Sequence, residues 1–141
     1  MAKLGCMLVA IVVFSACSGV TFRYDSGSSP EPTPYELQAR LLDAGDGYYV
    51  AYVDIQNSSS APLALAHDMF SLEAPHPVFF VPAYRIRWGR SGFRLPGSVA
   101  AGAHVSGEVC FGIRGGTSPT SPVGLVVRLP DGQHRFVFDV E

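Results

Sequence analysis

Four histidines, three cysteines and a run of arginines are the residues of this 141-residue chain whose types could carry chemistry. His67-Asp68-Met69 stands near His76, and imidazole with thioether suits copper or zinc. A site of that kind needs three or four converging donors, and His67, Met69 and His76 have no tight ligand spacing. Cys110 would need a base within hydrogen-bond reach to act as a nucleophile. His104 shares its strand and its parity, yet stands about 20 Å away at ~3.3 Å per residue. No G-x-S-x-G, H-E-x-x-H, phosphate-loop or dinucleotide pattern is present, and the carboxylates are scattered. Gly115-Gly116 sits in a Thr/Ser/Pro loop, where it cradles no phosphate. These residues predict a protein that is not an enzyme, has no cofactor and has no committed metal site.

The densest local feature is Tyr84-Arg85-Ile86-Arg87-Trp88-Gly89-Arg90-Ser91-Gly92-Phe93-Arg94, which holds the single tryptophan. On a strand Arg85 and Arg87 share one face, with Ile86 and Trp88 on the other; Arg90 and Arg94 flank a turn. Guanidinium forks bind carboxylate or phosphate bidentately, and Arg with Trp is enriched at binding hot spots. Arg85, Arg87, Trp88, Arg90 and Arg94 are therefore candidate contacts for an envelope protein, a lipid headgroup or an anionic surface polymer. A solvated strand face is the bland alternative. Ten Lys+Arg against twelve Asp+Glu exclude a protein that coats nucleic acid. At 48% hydrophobic, the chain is too apolar to be disordered throughout.

The elements that would position these residues begin with an address. Met1-Ala2-Lys3 is a short positive start, and Leu4 to Phe14 is an apolar run too short for a bilayer span of roughly 20 residues. It fits the apolar region of a secretory signal peptide. Phe14-Ser15-Ala16-Cys17 follows and resembles the lipobox of bacterial lipoproteins, with Phe14 where leucine is usual. The resemblance implies cleavage after Ala16, lipid on the Cys17 sulfur and acylation of the new amino group, palmitate-type chains being what hold the protein to its membrane. Several acyl chains anchor firmly where one binds marginally. Ser18, instead of aspartate, favours the outer membrane if the host has two. Loss of residues 1–16 removes the only lysine and leaves nine arginines against twelve acids, a side-chain charge of −3.

Residues 17–34 read as the lipidated cysteine and a tether. Ser26-Gly27-Ser28-Ser29 is flexible, and Pro30-Glu31-Pro32-Thr33-Pro34 favours extended polyproline II, reaching on the order of 50 Å in all. From Tyr35 to Glu141 a period of two dominates. Tyr49, Ala51, Val53 and Ile55 alternate against Asp54, and Val105, Gly107, Val109, Phe111 and Ile113 against Ser106, Glu108 and Cys110. Val123–Leu129 and His134–Val140 flank Pro130-Asp131-Gly132-Gln133, the chemistry of a β-hairpin. Weaker strands are expected at Tyr35–Leu42, Leu63–Ala66, Met69–Ala74 and Val78–Trp88. Fifteen glycines and eleven prolines leave no room for long helices. Seven to nine short strands predict an all-β antiparallel sandwich; a closed barrel satisfies the same spacing.

Val53-Asp54-Ile55-Gln56-Asn57, Asp68-Met69-Phe70-Ser71-Leu72 and Leu95-Pro96-Gly97 before Val105–Ile113 resemble the immunoglobulin-like domain of small bacterial secreted antigens and lipoproteins. That family is largely of unknown function, so the resemblance implies a fold without a reaction. The Cys…Trp…Cys signature of antibody domains is missing. The resulting expectation is a membrane-anchored envelope lipoprotein, held on the extracytoplasmic side, that acts as an interaction or structural module. A periplasmic copper- or zinc-binding lipoprotein is the alternative.

Overall fold

The structure, a computed structural model, describes residues 22–45, 48–74, 78–80, 93–113 and 122–140. In chain order the strands are β1 (Phe22–Ser28), β2 (Tyr35–Gly45), β3 (Tyr48–Asn57), β4 (Leu63–Ala64), β5 (Phe70–Glu73), β6 (Val78–Phe80), β7 (Phe93–Arg94), β8 (Ser98–Val99), β9 (His104–Ile113), β10 (Val123–Leu129) and β11 (Gly132–Val140). A single 3-10 turn, His67–Met69, precedes β5. Among the described residues there is no α-helix.

Two antiparallel sheets face each other. One has the order β2-β3-β9-β6, with β7 also on β9, and the other β1-β11-β10-β5; β4 and β8 form a small separate ladder. Setting β1 aside, these are the A-B-E-D and C-F-G orders of an immunoglobulin constant-type sandwich. The expected all-β immunoglobulin-like sandwich is the observed one.

Alternation makes the core. Along β3 the side chains of Tyr49, Ala51, Val53 and Ile55 are buried, while Tyr52, Asp54 and Gln56 are half-buried on the other face. From β9 come Val109 and Phe111, from β10 Val123, Leu125 and Val127, and from β11 Phe136 and Phe138. Full burial of a side chain such as Phe70, Phe111 or Phe138 contributes about 1.5–3 kcal/mol. The hairpin closes where Leu129 pairs with Gly132 around Pro130-Asp131, and Gly132 has φ +133°, a conformation that favours glycine. At Gly107 a side chain would collide with the backbone carbonyl of Arg94, so glycine there lets β7 lie against β9.

One boundary moves. Residues 22–28, assigned above to the tether, are a strand whose six residue pairs with β11 run from Phe22↔Val140 to Ser28↔Arg135. Phe22 is buried against Tyr49, edge to face with centroids 5.8 Å apart. Tyr24 covers Phe138 at 6.0 Å, and the backbone of β1 satisfies an otherwise open edge of β11. β1 therefore belongs to the sandwich, upstream of the boundary expected at Tyr35. The signal segment 1–16 and Cys17 lie outside the described residues.

Candidate functional site

Three polar arrangements stand out from this frame. The first joins the crossover segment between β1 and β2 to the β10–β11 turn. The His134 side chain, on the same parity as Phe136 and Phe138, is fully buried. Its Nδ1 lies 2.9 Å from Ser29 Oγ and its Nε2 3.0 Å from Asp131 Oδ1. Thr33 Oγ1 donates to the other Asp131 oxygen and accepts the Tyr35 amide at 3.1 Å. Burial alone would raise the Asp131 pKa. Hydrogen bonds from Thr33 and His134, the imidazole charge and a backbone N–H outweigh it and hold the carboxyl below its ordinary 3.8.

Hydroxyl, imidazole and carboxylate in that order are the parts of a nucleophile–base–acid relay. A relay base must also pass its proton to a leaving group, and a ring with no exposed surface has no path for that transfer. The chemistry fits a clasp. With the proton on Nε2, His134 donates to Asp131 and accepts from Ser29; as imidazolium it donates to both, because the serine hydroxyl turns round to accept. The clasp holds in either state.

The second arrangement is at the same end of the sandwich. Asn57 is also fully buried. Its Nδ2 donates to the carbonyls of Ala61 at 2.9 Å and Val99 at 3.0 Å, and its Oδ1 accepts from the Ser59 amide at 3.0 Å. Its backbone amide donates to Ala103, and its carbonyl accepts from Gly102, a residue with φ +76°. The β3–β4 and β8–β9 connections are thereby tied to one side chain.

The third is the outer face of the β2-β3-β9 sheet. Register sets its side chains in rows: Glu36, Gln56 and His104; Gln38, Asp54 and Ser106; Arg40, Tyr52 and Glu108; Leu42, Val50 and Cys110. The first two rows line a shallow groove of about 320 Å³, formed by Glu36, Gln38, Asp54, Gln56 and His104. Ser106 donates to Asp54, and His104 Nε2 stands 3.8 Å from Asp54 Oδ1. The Arg40 guanidinium lies over the Tyr52 ring, 5.2 Å from its centroid.

Of the arginine cluster, Arg94 is described: it is exposed on β7, paired with Glu108 at the end of the third row. Arg85, Arg87, Trp88 and Arg90 lie outside the described residues, as does Gly115-Gly116. So does His76, while His67 and Asp68 are exposed on the 3-10 turn and Met69 Sδ accepts the Ala66 amide at 3.2 Å. Among the described residues no three His, Cys, Asp or Glu side chains converge on a metal position. Cys110 lies on the face opposite Val109 and Phe111, as its alternation predicts, and is fully buried there with Val50, among Ala44, Tyr48 and Tyr52. The clasp and the groove were missed in the sequence; the parity of His134 with Phe136 and Phe138 was the available signal. No family model, curated protein or solved structure matches the chain.

Proposed function

We propose that the chain is a lipid-anchored, non-catalytic interaction module of the bacterial cell envelope. The observation that carries this reading is Phe14-Ser15-Ala16-Cys17 after a charged start and a short apolar run, followed at Phe22 by the first strand of a sandwich. Between Cys17 and Phe22 an extended chain spans about 17 Å. The domain would ride close to the lipid surface, its Phe22 and Val140 end inward and its clasp outward. That is shorter than the reach, on the order of 50 Å, of a spacer extended to Pro34. A membrane-proximal module suits a partner that is itself part of the envelope. Arg85, Arg87, Trp88, Arg90 and Arg94 remain the residues proposed to contact an envelope protein or an anionic surface polymer.

Mass spectrometry of the mature N terminus tests the anchor. The expected species starts at Cys17 and carries diacylglycerol plus an amide-linked acyl chain; Cys17→Ser should release the protein from membranes. An unmodified N terminus refutes it. Charge reversal at Arg85, Arg87 and Arg90 should abolish recovery of the envelope partner while the protein stays at the membrane.

A further inference from the structure

The groove on the outer face of β2, β3 and β9 has a chemistry that selects its ligand. Neighbouring strands are about 4.8 Å apart and alternate residues about 6.6 Å apart along each, so the two polar rows form a regular grid. Glu36 and Asp54 present acceptors. Gln38 presents donor and acceptor together, Gln56 keeps its oxygen and the second N–H of the amide that donates to the Gly102 carbonyl, and His104 adds a ring nitrogen of either kind. An apolar ligand would strip water from these groups without replacing their hydrogen bonds. An anionic ligand would meet two carboxylates and no lysine or arginine among the lining residues. A flat protein surface would have to bury both charges, and charged residues are depleted at the cores of such interfaces. A hydroxyl needs a donor and an acceptor side by side, and this grid supplies that pair repeatedly. Arg40 and Tyr52, stacked on each other, form the next row of the sheet beyond the grid. At about 320 Å³ the groove is at the small end of ligand sites.

We infer that this groove binds an uncharged glycan chain, the hydroxyls of its sugar rings held by Glu36, Asp54, Gln38, Gln56 and His104. This names a partner for the interaction module proposed above and rests on that reading for where the glycan is met. The ligand chemistry itself stands without the anchor.

The test uses the full chain carrying Cys17→Ser, so that failure to acylate does not decide the outcome. It is applied to immobilised tetrasaccharides of three kinds: neutral, amino-sugar and uronic-acid. Expected is binding to neutral members of the panel, weakened at least tenfold by Asp54→Ala and by Glu36→Ala. Both side chains are exposed enough for the fold to survive, which circular dichroism checks. Arg135→Ala, on the opposite sheet, should leave binding unchanged. Failure of every neutral glycan to bind overturns the inference. Equal or tighter binding of uronic-acid chains does so too, as does binding that survives Asp54→Ala combined with Glu36→Ala.

Discussion

Asn57 and His134 are both fully buried at the same end of the sandwich, and both hold connections that would otherwise hang loose. Their partners differ in kind. The side chain of Asn57 donates to main-chain carbonyls at Ala61 and Val99, groups that cannot turn away when the amide is removed. His134 holds Ser29 and Asp131, side chains that can rotate into solvent. A buried polar group left without its partner costs about 1–3 kcal/mol, so the same nominal loss should weigh more where the partner is fixed. Asn57 secures the fold of the end; His134 secures how the crossover segment lies upon it.

The largest expected effect is Asn57→Leu, which takes the side-chain donor from the buried Val99 carbonyl and the acceptor from the Ser59 amide and should cost about 3 kcal/mol, read from the urea midpoint at unchanged slope. His134→Leu preserves volume and should cost nearer 2 kcal/mol. Its loss should be local, with faster amide exchange at Tyr35 and unchanged exchange at Ala103. If both variants lose the same stability and exchange alike, the distinction between the two plugs is wrong.

Asp131→Asn sharpens the comparison through pH. The folded-state carboxyl titrates below its ordinary 3.8, so its contribution is complete above that value and fades as pH falls through the lowered one. The stability gap between wild type and Asp131→Asn should close as pH falls below 3.8 in acid titrations. The cost of Asn57→Leu should show no such closure. Smallest is Ser29→Ala, about 0.5–1 kcal/mol by thermal melts, because the exposed hydroxyl gives up one neutral hydrogen bond.

The strands with alternating faces were legible: β3, β9 and β11 follow directly from their period of two, and β10 from its unbroken apolar run and the turn that joins it to β11. β1 was not, because past its one buried residue, Phe22, every side chain is exposed and the strand runs out in Ser26-Gly27-Ser28, the composition of a linker. The outward side of Cys110 could be read, but not that this side is covered. Parity put His134 beside Phe136 and Phe138. Its partner Ser29 is remote in sequence and belongs to a segment that reads as tether, so nothing local could reveal the bond. The groove needed the pairing of β2, β3 and β9 before Glu36, Asp54 and His104 became neighbours.

β1 also has a mechanical consequence. On the proposed anchoring, tension between the lipid and a partner gripped at the outward end enters the domain at Phe22, along the axis of β1. The hydrogen bonds of an antiparallel ladder lie across that axis, so the six β1–β11 pairs would be sheared together and not peeled one by one. An edge strand with a single core residue, Phe22, would then set the force at which the domain tears from its anchor.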